Sequence, residues 1–299
     1  MRARHLAAFL ALAGIWGTTW LTIKFVVREM PPVSAAGMRF VLAALLLAGF
    51  ARWRGQPLCW RQWQPAERRL VLALSVLMIA LPYGLVFYGE LTVSSALASV
   101  LFSSHSAFVL LFDSLRARRN LLTGARLAGL LLAFAGIVVI FWPRLAAPSA
   151  ELKGVVALVG AAASSALATV LAKHGGHYIR PLAGTTWQMA LASVWLLAAG
   201  WGLERPALSG YSLVAFVALL YLVVFGSCVT FVLYYDLLKH MTPVQMSTLS
   251  FVIPVIATGA GWLVLGETLG PYTLAGAAAV VLGVALLHWR EPEPLPAGD

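Results

Sequence analysis

Trp16, Trp20 and Lys24 stand at i, i+4 and i+8 and so share one face of a helix. An aromatic wall ending in a cation can hold an apolar or aromatic group while the ammonium attracts a carboxylate, with cation–π attraction adding to both. The competing reading is that Lys24 and Arg39, each a turn or two inside the end of an apolar run, snorkel to an interface while the tryptophans pack. His105 is the second focus, with Phe102 three residues before it on the same face. A neutral imidazole there can donate or accept one hydrogen bond, or change protonation near neutral pH. Its plain alternative is a core histidine bonded to a nearby serine. Phe251 and Pro254 fall at the matching depth of a later apolar run, and Tyr83 directly follows Pro82. Each of these prolines deletes a helical hydrogen bond, which makes Pro82 and Pro254 the hinge candidates.

The elements that must position these groups are read from composition and repetition. Mean hydropathy is +0.87, and 11% of the 299 residues are charged, where a soluble domain has about a quarter. Ten apolar stretches lie at 5–27, 33–51, 70–89, 94–115, 123–142, 153–173, 181–201, 211–235, 243–265 and 271–289. Runs of this length cross a bilayer as helices. They leave no room for a soluble domain, so 1–291 forms a single membrane domain and the Pro-rich tail 292–299 is expected to be disordered.

The chain also matches itself at an offset of 149 residues: Lys24 on Lys173, Pro32 on Pro181, Phe102 on Phe251, with His105 opposite Pro254. After a two-residue slip the match continues with Tyr88 on Tyr235, Gly129 on Gly276 and Gly136 on Gly283. By the first offset Ser165 and Thr169 are the counterparts of Trp16 and Trp20 and should face the same space, giving a site with bulky walls on one side and small polar walls on the other. Repeat one covers about 1–145 and repeat two about 150–291, with five spans in each. An odd number of spans inverts the second half, and inverted halves place a substrate site at their interface near the midplane. The expected fold is therefore all-α and integral to the membrane: ten transmembrane helices in a 5+5 inverted-topology repeat around a central cavity.

Charge placement excludes other classes. The net charge of +10 comes from basic residues gathered in alternate loops, among them Arg52, Arg54, Arg61, Arg68 and Arg69. That asymmetry puts both termini in the cytoplasm and leaves no aromatic-basic surface for nucleic acid. No Gly-rich phosphate loop is present, so direct ATP drive is not expected. Cys59 and Cys228 have no partner for a disulfide or a metal, and His174 with His177 lacks a nearby carboxylate in sequence, so neither metal nor cofactor is expected. The acids Glu90, Asp113, Asp236 and Glu267 fall at span ends, which disfavours a carboxylate proton relay and leaves His105 as the proton candidate. Small-residue stripes such as Ser95, Ser99, Ser103 and Ala275, Ala279, Gly283 read as close helix packing.

The sequence resembles the EamA-type branch of the drug/metabolite transporter superfamily. The resemblance rests on Trp16-Gly17 with Lys24, Pro31-Pro32 followed by Met38-Arg39-Phe40, Thr242-Pro243-Val244 leading to Pro254, and Leu265-Gly266-Glu267-Thr268-Leu269. It covers nearly the whole chain. The resemblance implies a secondary transporter, facilitative or exchanging, that exports small amphipathic metabolites by alternating access. Tyr83, Tyr88 and Phe102 echo the aromatic amino-acid exporters, so amino acids with apolar or aromatic side chains are the favoured substrates. The alternatives are a proton-coupled drug/metabolite exporter and, less favoured, a membrane-embedded enzyme or a channel. The implied partners are a small-molecule substrate and the lipid bilayer, in a bacterial inner (plasma) membrane. Oligomeric state is left open.

Overall fold

A chain in lipid must satisfy its backbone internally, and every regular element described here is helical. The computed structural model describes residues 3–117, 124–145, 150–175, 181–204, 210–237, 249–267 and 269–288. In order these form α1 (Ala3–Val27), α2 (Pro32–Trp53), a 3₁₀ turn (Trp60–Gln62), α3 (Pro65–Leu74), a π segment (Ser75–Ala80), α4 (Leu81–Gly89), α5 (Ser95–Ser103) and α6 (His105–Ala117). They are followed by α7 (Gly124–Leu145), α8 (Ala150–Gly175), α9 (Pro181–Glu204), α10 (Leu213–Val223), a second π segment (Val224–Val229), α11 (Thr230–Leu237), α12 (Leu249–Leu265) and α13 (Pro271–His288).

Helix starts follow local chemistry. Pro opens α2, α3, α9 and α13, where the missing N–H is one the helix cannot use. Ser94 and Ser212 accept from the third residue of α5 and α10. Among the described residues seven helical stretches are long and apolar enough to cross a membrane: Ala7–Val27, Pro32–Trp53, Pro65–Gly89, Ser95–Arg116, Glu151–Ala172, Leu182–Glu204 and Leu213–Tyr234. Gly124–Ile140, Val252–Leu265 and Pro271–Leu286 are shorter apolar helices. Residues 243–248 of the expected ninth span, and the tail 292–299, lie outside the described set.

Three departures from the expected spans matter. The third run starts at Pro65 instead of residue 70, because Gln64 and Glu67 close a capping box on the polar stretch before it. The 52–69 connection is folded: Trp60 stacks on Trp63 and packs against Trp187 of α9, whose indole donates to the Leu58 carbonyl at 2.8 Å. The expected fourth span is broken at Ser104, where the hydroxyls of Ser103 and Ser104 donate to the Val100 and Leu101 carbonyls, each at 2.6 Å. Serines that bond back in this way compete with the helical ladder and bend it.

Packing joins α2 to α9, α7 to α13, α5 to α12, α1 to α10, α11 and α12, and α8 to α4, α5 and α6. The core contains Phe40, Phe87, Leu101, Met189 and Leu222. Leu45, Trp53, Trp195, Val255 and Leu263 point outward from the same helices, as apolar side chains do when the surrounding solvent is lipid.

Candidate functional site

The turn at Ser104 makes His105 the first residue of α6, and its side chain reaches Thr169 of α8. The His105 Nε2 lies 3.2 Å from the Thr169 hydroxyl, which itself donates to the Ser165 carbonyl at 2.9 Å. The imidazole stacks parallel to Phe102 at 6.0 Å, and Phe102 meets the buried Trp20 ring at 5.5 Å. Trp20, Phe102, His105, Ser165 and Thr169 therefore form one seam drawn from α1, α5, α6 and α8. His105 meets the Thr169 hydroxyl and also the main chain of Ser165, so the serine considered from sequence is met through its backbone.

The rest of the α1 face diverges. Trp16 packs on Phe231 and Tyr234 of α11, at 6.5 and 5.6 Å, and its indole nitrogen has no partner among the described residues. Lys24 donates its Nζ to the carbonyls of Glu90 (2.6 Å) and Val93 (2.8 Å) and so ties α1 to the end of α4. The three stripe residues meet three different neighbours, because a helix crossing a bundle changes partners each turn. Tyr83 follows the first π segment and sets its ring edge-on to Phe40 at 4.8 Å. Pro82 is buried at the start of α4, and Pro254 is buried inside α12. Phe251 is in α12, with its side chain outside the described set. A groove of about 300 Å³ between α2 and α9, lined by Ala44, Leu58, Trp187 and Ser193 among others, contains none of the expected site residues. At the other end of α6 and α8, His174 bonds Asp113 at 3.0 Å, so the carboxylate that sequence spacing lacked is supplied in space.

The strongest polar feature is one the sequence placed at an interface. Arg39 is 1% exposed. Its Nε donates to the Ser227 hydroxyl at 2.9 Å and its Nη2 to the Gly226 carbonyl at 2.8 Å, both in the second π segment. A π turn skips a helical bond and leaves a carbonyl for other donors. The guanidinium lies over the rings of Phe40 and Tyr83, at 5.2 and 4.8 Å, and its Nη1 has no partner among the described residues. Thr19 borders this pocket, because a Cβ added at Gly226 would lie 3.0 Å from the Thr19 methyl and 3.1 Å from Arg39 Nη2. Adjacent residues of α1, Thr19 and Trp20, thus face the Arg39 pocket and the His105 seam.

One end of the bundle is held by carboxylates that cap helices of the other half. Glu204 accepts from the amides of Val33 (2.7 Å) and Ser34 (2.8 Å) at the start of α2. Glu267 accepts from those of Ser95 (2.9 Å) and Ala96 (3.1 Å) at α5. Glu29 accepts from the Ser212 hydroxyl (2.6 Å) and amide (2.7 Å) before α10, and these bonds hold its carboxyl below the usual range, the hydroxyl's contribution being the larger. Anions at helix N-termini satisfy bare N–H groups and the helix dipole together.

A family model described as the EamA-like transporter family matches this chain twice, over residues 4–142 and 152–289. The chain belongs to the EamA-like transporter family. It is a multi-pass membrane transporter, not an enzyme, and works on a small-molecule substrate in a lipid bilayer. Protein PagO of Salmonella typhimurium is 27% identical over 281 residues, covering 93% of this chain and 90% of PagO. The uncharacterised inner membrane transporter YedA of Escherichia coli is 28% identical over 303 residues, covering 96% and 92%. A solved structure described as a crystal structure of protein shares the fold, with a TM-score of 0.67 at 17% identity, covering 96% of this EamA-like chain and 98% of its own.

Proposed function

We propose that this EamA-like transporter is an alternating-access carrier that exports small amphipathic solutes, amino acids with apolar or aromatic side chains first among them. The observation that carries the reading is the buried Arg39 guanidinium, whose Nη1 has no partner among the described residues, set among Phe40 and Tyr83. A buried cation with no carboxylate against it among the described residues is costly, and a carboxylate on the solute relieves that cost while planar pairing fixes its orientation. The seam of Trp20, Phe102 and His105, with Ser165 and Thr169 opposite, then takes the apolar or aromatic part. Phe251 on α12 and Trp16 one turn along α1 belong to the same proposed cavity. Pro82 and Pro254 are its proposed hinges. Lys24, spent on two carbonyls, serves closure of the end it ties.

The 5+5 repeat is supported by several independent facts. The two π segments start 149 residues apart, at Ser75 and Val224. The contacts α2–α9 and α7–α13 join counterparts, while α1 on α10–α12 mirrors α8 on α4–α6. With the basic residues taken as cytoplasmic, the end capped by Glu29, Glu204 and Glu267 faces out. YedA's inner-membrane placement supports the same membrane for this chain.

Counterflow in proteoliposomes tests the function. Vesicles preloaded with unlabelled phenylalanine should take up labelled phenylalanine faster than empty ones, and Phe102→Trp should slow that uptake while the purified protein stays folded. A protein that moves sugar phosphates but neither phenylalanine nor threonine overturns the substrate class, and preloading without effect overturns the carrier.

A further inference from the structure

At the capped end of the bundle Glu29, Glu204 and Glu267 accept the hydrogen bonds described above. Glu90, which follows α4, is the exception. It is 0% exposed, and neither carboxyl oxygen has a partner among the described residues. Its backbone is fully used, the amide donating to Val86 at 2.9 Å and the carbonyl accepting from Lys24 at 2.6 Å. The charged groups that face its carboxyl are Lys24 on α1 and Glu267 after α12, and Arg28 faces Lys24 in turn. Lys24 points its ammonium at two carbonyls, and Glu267 spends its oxygens on α5.

An ionised Glu90 would be a dry anion with no donor, which costs several kcal/mol, and it would add a second negative charge beside Glu267 with Lys24 alone to balance both. A neutral acid leaves one cation and one anion, which cancel. No donor among the described residues reaches either oxygen, and a proton on one of them removes the charge without a partner group.

We propose that the Glu90 carboxyl is a proton-binding site, filled when this end of the transporter closes and emptied when it opens. On closing, the hydrated carboxylate takes one proton from the aqueous solution on that side onto an Oε and is buried as the acid. On opening, water returns and the O–H gives the proton back. The ligand is the proton, and raising the pH on that side favours the open form by withdrawing it. The site stands on the enclosed carboxyl alone; its emptying rests on the alternating-access reading.

Two measurements on the full-length protein in lipid nanodiscs test the two parts. Infrared spectra at neutral pH should show the carbonyl stretch of a protonated carboxyl that Glu90→Gln removes, while Glu90→Asp and the exposed-site control Glu67→Gln keep it. For the second, Ser99→Cys, buried on α5 below the caps, is placed in a background of Cys59→Ser and Cys228→Ala. Its labelling by an impermeant maleimide should accelerate several-fold as the pH is raised from acidic to alkaline, because burial favours the neutral form of an acid and base withdraws its proton. Glu90→Gln, a fixed mimic of the acid, should keep labelling slow at every pH. A missing band, or one that persists in Glu90→Gln, overturns the site. A band with labelling that ignores pH in both proteins overturns the release. A cysteine protected at every pH in the wild-type background sinks alternating access itself, while the band still decides the site.

Discussion

The α7–α13 pair and the α5–α6 segment are both apolar helical regions, and they pack in opposite ways. In α7 and α13 glycines bring two unbroken helices together: a Cβ at Gly276 would lie 2.6 Å from the Gly136 carbonyl, and one at Gly283 would lie 2.6 Å from that of Gly129. In α5–α6 serines break the ladder and release His105 into the interior. The contrast separates scaffold from site. Regular helices keep their backbone bonds to themselves, while three residues of the proposed cavity lie at or against interruptions of the ladder: His105 after Ser104, Arg39 on the second π turn and Tyr83 after the first.

The largest break in that contrast comes from filling the scaffold. Gly276→Val sets a branched side chain against the Gly136 carbonyl and Ile140, main-chain and packed atoms that cannot swing away. It should cost more than the roughly 1 to 3 kcal/mol of ordinary overpacking. Gly14→Ala, with nothing within 4 Å of its added Cβ, should leave the unfolding midpoint in detergent nearly unchanged. Equal midpoints for the two variants would mean that α7 and α13 do not hold each other as described.

A smaller effect on stability, with a large one on function, is expected at Arg39. Arg39→Met fills much of the volume and removes the bonds to Ser227 and Gly226, and the Gly226 carbonyl keeps its bond from Thr230 at 2.9 Å. Hydrogen bonds from a charged donor contribute about 1.5 to 3 kcal/mol, and the apolar replacement returns part of that. The midpoint should fall modestly while phenylalanine no longer stabilises the protein against heat. If the ligand shift survives, Arg39 is a strut and the solute's carboxylate is bound elsewhere.

Much of this was legible in the sequence. Hydropathy marked the spans, and helical spacing put Phe102 beside His105 on one face. The 149-residue offset, which equated Ser165 and Thr169 with Trp16 and Trp20, singled out two α8 residues that the structure sets beside His105. The misses share a cause. Arg39 read as snorkelling because its acceptors are a hydroxyl and a carbonyl 188 and 187 residues away, and π turns leave no periodic trace. Lys24 read as a free cation because carbonyls carry no sequence signal. Ser34, Ser95 and Ser212 did stand near helix starts, which is the visible half of each trans cap; their glutamate partners lie 170 to 183 residues off and follow no local rule.

The caps themselves sharpen the comparison at its weakest point, the exposed one. Glu29 accepts two bonds from Ser212, and its carboxyl is depressed below the ordinary value of 4.5. A carboxyl more acidic in the folded than in the unfolded chain binds its proton later on acidification. Its contribution is therefore fully present above the unfolded value and is lost as pH falls through the lower, folded one. Glu29→Gln cannot titrate, so the difference in midpoint between wild type and this variant should be constant from pH 7 down to about 5 and then shrink toward zero as the pH drops further. Solvent screening keeps that difference small. A difference that instead grows on acidification would place the Glu29 carboxyl on the wrong side of its ordinary value and remove it from the set of caps that close this end.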